Sequence, residues 1–230
     1  TSQNDSYLYA SSGVYNVKLL IVSSDGCIDS IVKQATVYAL PIVDFSPIDV
    51  CLGTPSVFTD LSQAPGSTIS QWYWNFGDNT SSSSSSPTHT YNQEGTYNVT
   101  LTVTTNNGCV GTATKIITVH PNPIVDFAIS DSANCSPLCV NFFDLSTISG
   151  NGSISQWEWS FGTGNASSLQ NPSNCFTATG LSPVQYSISL TTTSNYGCKS
   201  SLTKNNLLTV YPMPKADFEA NPWESDVFSS

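Results

Sequence analysis

The sequence contains no arginine, and its basic residues are six lysines. Histidine occurs twice (His89 and His120) and methionine once, as Met213. Charged residues are 10 % of the 230 positions, where an average globular chain has about 25 %. Serine, threonine and asparagine fill the shortfall, so the solvated faces are polar but uncharged. With a net charge of −10 and no basic cluster, the chain has no electrostatic footprint for nucleic acid or anionic lipid. No apolar run approaches the ~18 residues that a membrane-spanning helix needs. No Cys-x-x-Cys pair occurs, and two histidines cannot supply zinc-ligand spacing. A Gly-x-Ser-x-Gly elbow is missing too, and no helical period is present. The opening, Thr1-Ser2-Gln3-Asn4-Asp5, has no signal-peptide pattern, an absence that carries little weight for an internal piece of a longer chain.

What is present is a strand of aromatics that occurs twice. Trp72-Tyr73-Trp74-Asn75-Phe76-Gly77-Asp78 is echoed by Trp157-Glu158-Trp159-Ser160-Phe161-Gly162. With a period of two, Trp72, Trp74 and Phe76 share one face, and Tyr73 and Asn75 share the other. Burying each large aromatic is worth roughly 2–3 kcal/mol, so this face requires a second sheet over it. Gly77-Asp78 ends the strand with turn chemistry. A buried Trp strand in each module points to a β-sandwich rather than a catalytic centre.

The echo is part of a longer repeat. Gly13 to Gly95, Tyr15 to Tyr97, Cys27 to Cys109 and Pro41 to Pro123 are all offset by 82 residues. The next copy is longer: Trp74 to Trp159 is 85, Cys109 to Cys198 is 89, and Pro123 to Pro214 is 91. Its insertions fall before Trp157 and around Leu181-Ser182-Pro183-Val184. The domains expected are therefore 42–123 and 124–214, both complete. Residues 1–41 are the second half of an earlier unit, and 215–230 begin a later one. Pro121 with Pro123, and Pro212 with Pro214, make short, stiff joints. Within a unit, Tyr97, Val99, Leu101 and Val103 alternate with polar residues, and Asn107-Gly108 is a hairpin turn. The Ser81–Ser86 run reads as a mobile loop. The fold class is all-β: tandem immunoglobulin-like antiparallel sandwiches arranged end to end.

Four motifs then occur in order: Trp74-Asn75-Phe76-Gly77-Asp78, Pro87-Thr88-His89-Thr90-Tyr91, Gly95-Thr96-Tyr97-Asn98-Val99-Thr100-Leu101 and Asn107-Gly108-Cys109. Together they resemble the PKD (polycystic kidney disease) domain, over nearly the whole chain. The cysteine-bearing form is similar to repeats of large surface proteins from gliding and biofilm-forming Bacteroidota. The second unit departs from the pattern. Gly162-Thr163-Gly164 lacks the Asp that follows Gly77, and Asn174-Cys175-Phe176 stands where His89-Thr90-Tyr91 stood. The core signature expected from the motifs is Trp74, Phe76 and Tyr97 in one unit and Trp159, Phe161 and Tyr186 in the other. The resemblance implies a spacer or an adhesive module that contacts protein or carbohydrate.

Candidate chemistry gives way to simpler readings. Asp44, Asp60 and Asp78 are calcium-ligand types, but they lie far apart in turns where each can bond nearby backbone N–H groups. Glu94 lies in a turn and Glu158 on a solvent face, which leaves no paired acids for glycoside hydrolysis. His89 reads as a hydrogen-bonded structural residue beside the core residue Tyr91. Asp29-Ser30-Ile31 and Asp131-Ser132-Ala133 resemble O-glycan acceptors of Bacteroidota.

Seven cysteines in a Ser/Thr-rich β chain read as disulfides in an oxidising, extracellular or cell-surface location. Cys51 and Cys135 each lie nine residues before an equivalent Asp (Asp60 and Asp144), and Cys109 aligns with Cys198. The pairs expected are Cys51–Cys109 and Cys135–Cys198, with Cys139–Cys175 an extra bridge of the second unit. Cys27 is left unpaired or bonded to another chain. The function expected is a non-catalytic, disulfide-stiffened stalk of a surface adhesin, of the kind used in cell adhesion or gliding motility. It needs no cofactor or metal and inserts into no membrane. Its partners are neighbouring repeats, and surface polysaccharide or other cell-surface proteins. The alternatives are a carbohydrate-binding unit with exposed aromatics such as Tyr73, and a spacer on a secreted hydrolase.

Overall fold

The computed structural model describes residues 5–219. The expected start of a further unit at 215–230 lies mostly outside them. Among the described residues every regular element is a β-strand. The chain divides into two compact units at His120/Pro121.

In the first unit, the alternating pattern 95–105 forms the strand Gly95–Thr105, which pairs antiparallel with Val110–His120 through the Asn107-Gly108 turn. Gly108 sits at φ 81°, the left-handed conformation this turn demands. On its other side, Gly95–Thr105 pairs with the Trp strand Ile69–Asn75, which sets Leu101 opposite Trp74 and Thr102 opposite Tyr73. Ser81–Ser82 closes that edge, and Val50–Cys51 adds in parallel to the end of Val110–His120. The second layer consists of two short antiparallel pairs, Phe45–Ser46 with Thr59–Asp60 and Ser56–Val57 with Thr88–His89.

The second unit repeats the five-stranded order with Ala133–Cys135, Lys199–Tyr211, Val184–Ser194, Ile154–Ser160 and Ala166–Ser167. Its covering sheet is more regular, with three antiparallel strands: Phe127–Ile129, Leu138–Asp144 and Ser173–Phe176. The longer insertions lie in the segments before Ile154 and before Val184.

The apolar face of each Trp strand faces the covering layer. Trp74 and Trp159 are fully buried, and each meets a phenylalanine edge-on at 5.1 Å (Phe45 and Phe127). Phe76 and Phe161 are buried beside them, while Trp72 and Trp157 pack half-buried at the core margin. Tyr97 and Tyr186 line the core edge rather than its interior. Tyr97 stacks on buried Tyr91 at 4.2 Å, and Tyr186 meets Phe176 at 4.9 Å.

The outer sheet faces show why so little charge is needed. Thr100 bonds Thr114 at 2.9 Å and Thr102 faces Thr112 at 3.3 Å. In the second unit Ser189 bonds Thr203 and Thr191 bonds Ser201 at 2.9 and 2.7 Å. Hydroxyl pairs across strands cover these faces, where other sheets use ion pairs.

One expectation is corrected here. The serine run is not a free loop: Ser81–Ser82 pairs with Asn75 and Trp74, and the Ser84 carbonyl accepts the Trp74 indole N–H at 2.9 Å. A buried indole needs an acceptor, and the run supplies one from its backbone. The Leu169 carbonyl does the same for Trp159, also at 2.9 Å.

Residues 13–37 form a separate long hairpin, Gly13–Val22 with Ile28–Val37. By the 82-residue offset its Leu19 and Ile21 correspond to Leu101 and Val103. They are 59 % and 56 % exposed, where their counterparts are wholly buried. Among the described residues this hairpin has no Trp strand beside it.

Candidate functional site

A grouping of polar and aromatic side chains surrounds His89. Its imidazole stacks on Phe76, with centroids 4.2 Å apart and planes 7° from parallel, and meets Tyr91 edge-on at 4.6 Å. Tyr91 donates its hydroxyl to the Phe76 carbonyl at 3.0 Å. Burial drives the Tyr91 phenol far above its ordinary range, with the Asp78 charge adding to the effect. The turn after the Trp strand delivers Asp78, whose carboxylate lies 2.7 Å from His89 Nε2 and accepts both the backbone N–H and the hydroxyl of Thr80. Burial pushes the Asp78 carboxyl upward, yet the Thr80 and His89 hydrogen bonds outweigh it, and its pKa is lowered. An open cleft of about 390 Å³ lies beside it, lined by Asp78, Asn79, Thr80, Asn92, Gln93 and Tyr97.

Carboxylate, imidazole and hydroxyl together invite comparison with a catalytic relay, but the geometry differs. A relay places the acid and the nucleophile on opposite ring nitrogens. Here Asp78 and Thr80, at 2.7 and 3.4 Å, both address Nε2. The cluster ties the turn to Thr88–His89 in the covering layer. In the second unit Asn165 bonds Asn174 at 3.4 Å in the same place, without acid or imidazole.

The aspartates considered as calcium ligands are committed to separate partners. Asp44 pairs with Lys115 and the Phe45 N–H, which together hold its carboxyl below the usual range. Asp126 is held low in the same way by Lys204 and the Phe127 N–H. Asp60 accepts the Trp72 indole N–H at 2.6 Å and the Ser62 N–H at 2.9 Å. Among the described residues no group of His, Cys, Asp or Glu is placed to hold a metal ion. Glu158, on the outer face, lies 3.7 Å from Lys199. Tyr73 is 54 % exposed and stands among threonines, opposite Thr102. Its counterpart in the second unit is Glu158, so the two units do not share an aromatic platform there.

The cysteines need the largest correction. Cys139 and Cys175 face each other across paired strands and are bonded. Cys27, Cys109 and Cys135 carry free thiols, so neither Cys51–Cys109 nor Cys135–Cys198 forms. Strand length forbids both. Cys51 lies opposite His120, at the far end of the 11-residue strand that begins just after Cys109. At ~3.3 Å per residue the two are about 35 Å apart, where a disulfide tolerates about 7 Å. Cys135 lies opposite Tyr211, a comparable distance along Lys199–Tyr211 from Cys198. Repeat alignment identifies equivalent cysteines but not the end of the strand each occupies.

Two five-stranded sheets of matching strand order, each closed over a buried Trp, define tandem immunoglobulin-like sandwich domains. The chain belongs to the PKD domain family, which matches residues 38–119 and 120–210. Among curated proteins, Collagenase ColA of Clostridium perfringens is 34 % identical over 92 residues, 40 % of this chain and 8 % of that protein. Collagenase ColA of Bacillus cereus is 35 % identical over 65 residues, 28 % of this chain and 7 % of that protein. The chain thus spans less than a tenth of these relatives. Among solved structures, the PKD1 domain of Vibrio anguillarum Epp is 27 % identical, with 36 % of this chain and 95 % of that one covered and a TM-score of 0.34. The PKD1 domain of the Vibrio cholerae metalloprotease PrtV is 30 % identical, with coverage of 35 % and 98 % and a TM-score of 0.33.

Proposed function

We propose that this stretch is a non-catalytic spacer array in an extracellular protein, the stalk of a surface adhesin. In this reading 42–123 and 124–214 are complete units, 1–41 is the second half of an earlier unit, and 215–230 opens a later one. One observation carries the reading: the most reactive-looking cluster, Asp78–His89–Thr80, is spent on holding a turn to the covering layer and is not repeated in the second unit. What the units do share is their frame: the buried Trp, the indole-to-carbonyl bond and the hydroxyl-covered outer face. Selection for a frame fits a spacer whose partners are neighbouring repeats, with surface polysaccharide or other cell-surface proteins met elsewhere in the protein. The exposed apolar face of the 13–37 hairpin fits a unit whose Trp strand lies upstream.

A second reading is favoured by the collagenase matches, in which such a domain is a small part of a larger protein: a spacer on a secreted hydrolase. Antibody labelling of intact producing cells, with fractionation of the medium, separates the two. The stalk reading expects surface label that is removed by external protease. Full-length protein recovered from the medium together with peptide- or glycan-cleaving activity would replace it with the second reading.

A further inference from the structure

The cysteines fall into two geometric classes. Cys27, Cys109 and Cys198 occupy the same hairpin turn, each accepting at its carbonyl an N–H from four residues earlier (Ser23, Thr105 and Ser194) at 2.8–2.9 Å. Cys51 and Cys135 lie on the short parallel edge strand, opposite His120 and Tyr211. The two classes mark opposite poles of a repeat. In the first unit a Cβ on Gly111, two residues past Cys109, would meet Pro41 and Val43 within 2.9 Å, so the hairpin cysteine sits where the chain enters. The edge cysteine sits where it leaves, beside His120. The second unit has the same polarity. Ile124 pairs with Thr147, and Ser153 bonds Asn195 beside the Cys198 turn, while Cys135 lies against the departing Tyr211. Each repeat is thus entered beside its hairpin cysteine and left beside its edge cysteine.

A second observation is independent of this placement. One cysteine of each class, Cys51 and Cys198, is a half-cystine. Their repeat equivalents, Cys135 and Cys109, are thiols, Cys135 exposed and Cys109 half-exposed, and Cys27 is an exposed thiol. No bridge within a repeat can take either pole's cysteine, because a full strand length separates them.

We propose that Cys27, Cys109 and Cys135 are half-cystines of bridges between successive repeats in the native protein, each joining an edge cysteine to the hairpin cysteine of the following repeat. Cys135 is bonded to the hairpin cysteine of a repeat downstream. Cys109 and Cys27 are bonded to edge cysteines of repeats upstream. Each bridge forms by thiol–disulfide exchange with an external disulfide. Two thiols give up two protons and two electrons, one S–S bond forms, and the oxidant leaves as two thiols. A fold with its cysteines at opposite poles is thereby cross-linked joint by joint, so that load passes through covalent bonds as well as through the Pro-rich linkers.

The inference rests on the array reading, and the tests separate the two. In the full-length protein, alkylated and then digested without reduction, the Cys135 peptide is expected joined to a Gly-Cys hairpin peptide of another repeat, and the Cys109 peptide to an edge-strand cysteine. Recovery of both as alkylated single peptides, in a protein that does contain further repeats, overturns the inference and leaves the array intact. Absence of further repeats overturns the array reading itself. With the present chain, incubation in oxidised glutathione at high protein concentration is expected to give disulfide-linked oligomers through Cys135 to Cys109 or Cys27. Cys135→Ser, at an exposed position and with an unchanged melting temperature, should remove them. Equal cross-linking in that variant, through hairpin cysteines alone, would count against the pairing rule.

Discussion

Trp72 donates its indole N–H to the Asp60 carboxylate at 2.6 Å, and Trp157 donates to Asp144 at 2.7 Å. The same acids cap the following turn, accepting the N–H of Ser62 and Ser146. One carboxylate thus joins the Trp strand to the covering layer in each unit, at the margin of the core. Hydrogen bonds to charged groups contribute about 1.5–3 kcal/mol. Asp60→Ala should destabilise the first unit by about 2–3 kcal/mol and leave the second unchanged, with Asp60→Asn retaining part of the loss. Urea unfolding followed by Trp fluorescence resolves the two, and an unshifted first transition would refute the role.

Gly77 ends the first Trp strand at φ 83°, and a Cβ there would lie 2.8 Å from the Asn98 carbonyl oxygen. Gly162 repeats the situation against Ser187 at φ 71° and 2.8 Å. The obstacle is backbone, which cannot step aside as a side chain can. Gly77→Ala should cost at least about 1–2 kcal/mol from the left-handed conformation alone, and more from the clash. Gly108→Ala, with similar φ and open space, gives the conformational part by itself.

Stability should fall on acidification, and more in the first unit. Asp44 and Asp126 both have lowered pKa values, but Asp78 is lowered in the first unit alone, where Thr163 stands in the second. A carboxyl whose folded pKa lies below its ordinary 3.8 stabilises the fold above that value. The contribution is lost as the pH falls below about 4 through the lowered folded pKa. Asp78→Asn should therefore flatten the acid limb of the first unit's melting temperature below about pH 4. An unchanged slope would show that Asp78 does not report on folding.

Cys139 and Cys175 close a loop with a sequence separation of 36. On the chain-entropy argument that is worth about 4 kcal/mol. The double variant Cys139→Ala/Cys175→Ala should lower the second unit's stability by up to that amount. The first unit, which has no such pair, serves as the internal reference in the same denaturation curve.

Chelation should leave both melting temperatures in place. Asp44 is held by Lys115, Asp60 by Trp72 and Asp78 by His89, so no two of them converge on one point. A fall of several degrees in EDTA, reversed by calcium, would reveal a site that these contacts do not account for.

Much of the frame was legible in the order of residues. Period-two alternation over Tyr97–Val103 and the aromatics at Trp74 and Phe76 dictate strands with one buried face, and the 82-residue offset carries that frame from unit to unit. Both signals are local or periodic, so they survive without knowledge of which strands pair. What depends on pairing was not legible. That the serine run accepts the Trp74 indole follows from an antiparallel turn back onto Asn75, which low-complexity composition conceals. That Asp78 and Thr80 share one nitrogen of His89 follows from where the covering layer sets Thr88–His89. Cys51 and Cys109 belong to one unit in the sequence and were expected to bond. Only the parallel pairing of Cys51 with His120 puts a whole strand between them, because a disulfide responds to distance in space and an offset along the chain carries none.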